Sequence, residues 1–163
     1  MIAENGSGSE HKTLKKLYKN EPLQEERNRL ARALALFKEQ KLLKDTLEFA
    51  LSDHVRFQDS IHVIAGVWTN PYGRDLAWEF VKKNFKKLRK IYSGGHFMSR
   101  LLGAAGSMIK VSDASDLEKF FKKNPVPEAE RTIAQAAEQI RSNAAWLKRD
   151  RKGIEKFLKK LTS

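Results

Sequence analysis

Between Asn70 and Tyr92 the chain reads NPYGRDLAWEFVKKNFKKLRKIY, a turn signal running straight into an apolar stripe at helical spacing. Leu76, Ala77, Phe80, Val81, Asn84, Phe85 and Leu88 fall on one helix face, and Lys82, Lys83, Lys86, Lys87, Arg89 and Lys90 fill the rest. Asn70, Pro71 and Gly73 predict a turn in which proline fixes one φ and glycine supplies a positive one. Gly94 and Gly95 predict the end of the helix. A helix of this kind must bury one face against another element, which commits the surrounding chain to helix packing.

The same period recurs throughout. Asn20 and Pro22 predict the start of a helix carrying Leu23, Leu30, Leu34 and Phe37, and Leu42, Leu43, Leu47, Phe49, Ala50 and Leu51 form the next pattern. Val55, Ile61, Ile64 and Ala65 mark a helix over 55–67. Phe97 to Met108 predicts a short one, with Gly103 and Gly106 allowing close approach of a neighbour. Ser115 and Glu118 have capping-box spacing ahead of Phe120 and Phe121. Pro125 and Pro127 precede a long helix through Ile133, Ala136, Ala137, Ile140, Ala144 and Leu147, with Gly153 dividing it from a last helix bearing Ile154, Phe157, Leu158 and Leu161. The expected fold is all-α: about eight helices, joined by short connections as antiparallel hairpins stacked in an α-solenoid.

At 163 residues the chain fits one domain. An apolar share of 40% and a charged share of 32% set it apart from disordered chains and from membrane spans. Cysteine is absent, which excludes disulfides, thiolate metal sites and a cysteine nucleophile, and suits a reducing compartment; the expected setting is cytoplasmic. Residues 1–12, with Gly6, Ser7, Gly8 and Ser9 and no apolar run, read as a flexible leader or a cloning remnant.

A net charge of +12 raises the question of a polyanionic partner. Basic residues cluster at 82–90, 119–123 and 148–160, but Phe80, Phe85, Phe120, Trp146 and Phe157 stand at apolar-stripe positions and are expected in the core. A nucleic-acid surface needs exposed aromatics among its cations, so the charges read as solvated helix faces. The histidines, His11, His54, His62 and His96, include no i,i+4 pair and none is followed by Glu. His54 and His62 would lie roughly 12 Å apart along a helix, too far to share an ion with Asp59. No P-loop, G-x-G-x-x-G or G-x-S-x-G is present.

An ordered set of motifs resembles the C-terminal region of zinc aminopeptidases of the aminopeptidase N and puromycin-sensitive type. Arg29-Leu30 with Ala33-Leu34, Leu42-Leu43 with Leu47, and Val55-Arg56-Phe57-Gln58-Asp59 come first. Asn70-Pro71-Tyr72-Gly73-Arg74 with Ala77-Trp78 and Phe80 follow, then Tyr92 with Gly94-Gly95, then Arg131, Gln135, Glu138, Asn143 and Trp146-Leu147. Phe85 stands where the family usually has Trp, and 103–115 matches poorly. The family's H-E-x-x-H and G-x-M-E-N do not occur in these residues.

The resemblance implies that residues 13–163 are the distal part of a non-catalytic C-terminal helical domain, a stack of HEAT-like hairpins that encloses the substrate chamber and moves as it opens and closes. It implies zinc in a catalytic domain elsewhere and no cofactor in this chain, with that catalytic domain and a peptide as partners and no membrane. Arg131 and Gln135 are the candidate peptide-facing residues, since a guanidinium can hold a carboxylate bidentately. Arg56, Gln58, Asp59, Asn70, Pro71, Gly73, Arg74, Trp78, Asn143 and Trp146 are signature residues with an expected structural role. Loss of upstream hairpins would bare Leu23, Leu30 and Leu34 and favour self-association through that end. The rival readings are a stand-alone helical-repeat interaction module and a basic nucleic-acid binder.

Overall fold

In the computed structural model, residues 2–93 and 96–161 are described, and among them every regular element is helical. The α-helices are α1 (Ile2–Asn5), α2 (Gly8–Asn20), α3 (Gln24–Leu34), α4 (Gln40–Ala50), α5 (Phe57–Thr69), α6 (Arg74–Lys83), α7 (Phe85–Ile91), α8 (Phe97–Gly103), α9 (Val111–Lys123) and α10 (Glu130–Leu161). Short 3-10 turns at Ala104–Ser107 and Pro127–Ala129 precede α9 and α10. Gly94 and Gly95, expected as a helix stop, lie outside the described residues.

Contacts run between elements close in the chain. α2 packs on α3, α4 on α5, α5 on α6 and α9 on α10, with α3 reaching α5, α4 reaching α6, α5 reaching α8 and α8 reaching α10. The core follows from Tyr18 and Leu34 through Leu47, Ile64, Trp68 and Leu88 to Met98, Leu117 and Ile140.

Several expectations are corrected. In place of a flexible leader over 1–12 the structure has α1 and the first turns of α2. Ser7 and Glu10 form a reciprocal cap there, and His11 is buried. The bared apolar end also differs: α3 is packed by α2 and α5, Leu34 is fully buried and Leu30 half-buried, leaving only Leu23 of the three exposed. The helix expected to run unbroken after Gly73 is divided at Asn84. That side-chain amide donates to Phe80 O at 2.9 Å, and such a bond competes with regular helix geometry. The Phe97 helix closes as a 3-10 turn after Gly103. α9 begins at Val111, four residues before Ser115, because Asp113 Oδ2 accepts the Lys110 N–H at 3.1 Å and anchors the first turn. Gly153 breaks nothing: α10 is continuous through it.

Gly73 is required for a reason other than the expected one. Its φ is −111°, so no positive φ is involved. A Cβ there would instead stand 2.4 Å from Val67 O, at the point where the start of α6 folds back over the end of α5. Close approach by glycine occurs likewise at Gly66, where a Cβ would meet Ala35 Cβ at 2.9 Å, whereas Gly106 leaves a Cβ an ordinary 3.5 Å from Gln139.

Candidate functional site

The motif residues divide by position into staples and a cleft. Arg56 precedes α5 and donates from Nε to Asp59 Oδ2 at 2.7 Å, and the same carboxylate oxygen accepts from Gln24 Nε2 of α3 at 3.0 Å. Gln58 and Pro71 are exposed. Asn70 is buried at the end of α5 and donates to Ala35 O and Phe37 O, both at 2.8 Å, supplying hydrogens that the end of α3 lacks. Its Oδ1 accepts from Tyr72 N at 3.0 Å. Trp78 stacks on Trp68 at 5.7 Å and donates from Nε1 to Asp116 at 2.7 Å. Lys82 donates to the same carboxylate at 2.9 Å, and this hydrogen bond, first among the causes, holds Asp116 below the usual carboxylate range.

Around Arg74 the fold gathers distant motif residues. A cleft of about 680 Å³ opens between the start of α6, the stretch after α8 and one face of α10. Arg74 forms one wall, Ser107 and Ile109 the second, and Gln139, Ser142, Asn143, Trp146 and Leu147 the third. Asn143 sets the shape by donating to Gly106 O at 2.8 Å and Met108 O at 3.0 Å, and Gln139 Nε2 donates to its Oδ1 at 2.8 Å. Ser107 Oγ donates to Trp68 O at 2.9 Å and ties the second wall to α5.

Two features give the cleft chemical character. Arg74 makes no ion pair: the adjoining carboxylate, Asp75, is held by Lys110 Nζ at 2.6 Å. Its Nε is shielded from solvent and has no acceptor, a deficit that costs about 1–3 kcal/mol for a buried donor. Opposite the cation, Trp146 is 51% exposed. A cation without a counterion, an open indole and neutral polar groups suit an anion attached to something apolar.

Arg131 and Gln135 are exposed on α10 and do not line this cleft. At about 100° per residue, however, Arg131, Gln135, Gln139, Ser142 and Trp146 span an arc of only about 80°. The two candidates therefore extend the cleft wall along α10 toward its N-terminus. Sequence reasoning missed Gln139, Ser142, Ser107 and Ile109. The i+4 step from Gln135 points to Gln139, whereas Ser107 and Ile109 lie in the stretch that matches the family motifs poorly and carry no signal of their own.

The expectation that aromatics among the basic residues are core holds for Phe85, which is buried, and for Phe80 and Phe120, which are half-buried against it. It fails for Trp146 and for Phe157, which is 62% exposed, because α10 extends past the elements that cover its first half. Among the described residues no group of three or more His, Asp or Glu side chains is placed to hold a metal ion, and no helix is long and apolar enough to cross a membrane.

Comparison with known proteins matches residues 1–142 to the family described as the ERAP1-like C-terminal domain. The chain is 33% identical over 143 residues to human Aminopeptidase N, covering 84% of this chain and 15% of that protein. It is 31% identical over 163 residues to Aminopeptidase 2, mitochondrial, of Saccharomyces cerevisiae, covering 97% and 17%. It is 29% identical over 147 residues to Aminopeptidase M1 of Arabidopsis thaliana, covering 89% and 16%. The chain thus spans about a sixth of the length of the curated relatives it matches. By motif order, by an all-helical fold and by this match, the chain belongs to the ERAP1-like C-terminal domain family of M1 aminopeptidases.

Proposed function

We propose that this chain is the non-catalytic C-terminal domain of a zinc-dependent aminopeptidase, forming part of the wall of the substrate chamber and contributing to peptide binding and domain closure. The observation that carries the reading is the family match over residues 1–142 in a chain whose described residues bring no metal-binding cluster together. The zinc and the general base then belong to the rest of the polypeptide, and this chain contributes shape and charge. Serial packing of α2 through α10 supports a HEAT-like stack, since each element covers its neighbours in the chain.

The catalytic portion is the partner proposed for the far end of α10. Ile154, Phe157, Leu158 and Leu161 are exposed there, an apolar stripe on a helix that outruns its own domain. Arg131 and Gln135, exposed and aligned with the cleft wall, are the proposed peptide-facing residues. A cytoplasmic setting is supported by the cysteine-free sequence.

A graft tests the reading. The corresponding segment of the yeast Aminopeptidase 2 is deleted, and in a second protein replaced by this chain. The deletion is expected to lose peptide hydrolysis and the graft to regain it, with this chain alone, given zinc and an aminoacyl chromogenic substrate, showing no turnover. Turnover by the isolated chain, or a stably folded graft no more active than the deletion, overturns it. Within an active graft, Arg131→Ala is expected to raise KM for peptides while leaving the chromogenic substrate unchanged.

A further inference from the structure

We propose that the cleft between Arg74 and Trp146 is a carboxylate-binding subsite, taking a peptide carboxylate that adjoins an apolar side chain. The proposal deepens the reading of this chain as a peptide-contacting wall and rests on it.

The argument begins with charge. Most cations of the folded core are engaged: Arg56 by Asp59, Lys82 by Glu79 and Asp116, Arg89 by Glu128, Lys110 by Asp75, Arg141 by Glu118. Arg74 has no such partner, although it is half-buried and its Nε lacks any acceptor. No acidic side chain lines the cleft. A guanidinium so placed presents planar donors with nothing to receive them, and the group whose geometry matches is a carboxylate.

The other walls define what must accompany it. Trp146, Leu147 and Ile109 supply apolar surface, while Gln139 and Ser142 supply neutral donors and acceptors for a peptide backbone. Asn143 is committed to holding the turn at Gly106 and Met108, so it keeps the walls apart rather than contacting the ligand. The carboxylate can come from a chain terminus or from an acidic side chain, and the chemistry on the Arg74 side is the same for both.

The test uses the 163-residue chain and the indole N–H signals of its three tryptophans. Trp78 donates to Asp116, Trp68 is fully buried, and Trp146 is open, so their resonances report different places. Three probes are titrated: N-acetyl-Ala-Ala-Leu with a free terminus, the same peptide as its C-terminal amide, and N-acetyl-Asp-Leu amide. The free-terminus peptide, the acidic-side-chain peptide, or both are expected to move Trp146 alone, and the neutral amide is expected to bind at least tenfold more weakly. Whichever carboxylate peptide binds identifies the source.

Arg74→Gln is expected to weaken that binding roughly tenfold or more, Arg74→Lys by less because charge survives without the fork, and Trp146→Ala to weaken it without unfolding an exposed site. Equal binding of the neutral amide, indifference to Arg74→Gln, or no shift of Trp146 with any probe overturns the proposal. These outcomes leave the graft experiment untouched, so failure of the subsite is distinguishable from failure of the chamber-wall reading.

Discussion

Asn70 and Asn143 perform the same operation at two places. Each places a side-chain amide where the backbone leaves a helix, and each donates to two carbonyls, Ala35 and Phe37 in one case and Gly106 and Met108 in the other. Carbonyls at such ends have no partner within the helix, and a carboxamide supplies one without adding charge. Asn70→Ala is expected to destabilise the protein by about 2–3 kcal/mol, because the orphaned acceptors stay buried. Asn143→Ala should cost about 1 kcal/mol, its site being nearer solvent. Chemical denaturation of both variants checks the ranking, and equal losses would contradict the burial argument. The sequence marked both residues as motif positions, but their task was not legible, since it depends on carbonyls 33 to 37 residues away.

At the scale of the element, periodicity located most of the helices and misjudged their ends. The apolar stripe of α4, α5 and α10 is set by 3.6-residue spacing and needs no tertiary information. Boundaries depend on local competition that spacing does not encode: Asn84 interrupts because its amide finds Phe80 O, and Asp113 starts α9 early because it finds Lys110 N. Gly153 shows the converse. Glycine lowers helix propensity, but the residues on either side of it are good helix formers and propagation adds a bond for each residue fixed. A Cβ at Gly153 would meet nothing within 4 Å. Gly153→Ala is therefore expected to stabilise α10 by about 0.5–1 kcal/mol, visible as increased helicity by circular dichroism and slower amide exchange over 148–160. Unchanged helicity would mean that this end of the helix is frayed.

At the scale of the molecule, the N-terminal helices are part of the fold. His11 of α2 hydrogen-bonds Thr46 Oγ1 of α4 at 2.8 Å and packs edge-on against Phe37, with ring centroids 5.0 Å apart. Burial pushes its pKa below the ordinary 6.5, opposed by the Asp45 carboxylate 3.5 Å from Nδ1 and assisted by Lys15, which pairs with that carboxylate. The native ring is then neutral at pH values where the unfolded ring takes up a proton. Stability is thus fully present above 6.5 and falls as pH drops from there toward the lower folded value. Thermal melts between pH 7.5 and pH 5 should show a steeper loss for the native protein than for His11→Gln, and parallel curves would remove His11 from the account.

What the sequence determined by itself is the helical class, the apolar faces and the family, because spacing and motif order are local and survive without a partner in view. Tertiary structure alone decided that the N-terminal residues pack, that Gly73 answers a clash rather than a positive φ, and that Arg74 meets Trp146 across a cleft. Each of these depends on residues distant in the chain coming within a few ångströms, and no periodicity along one segment records which atoms another segment will place against it.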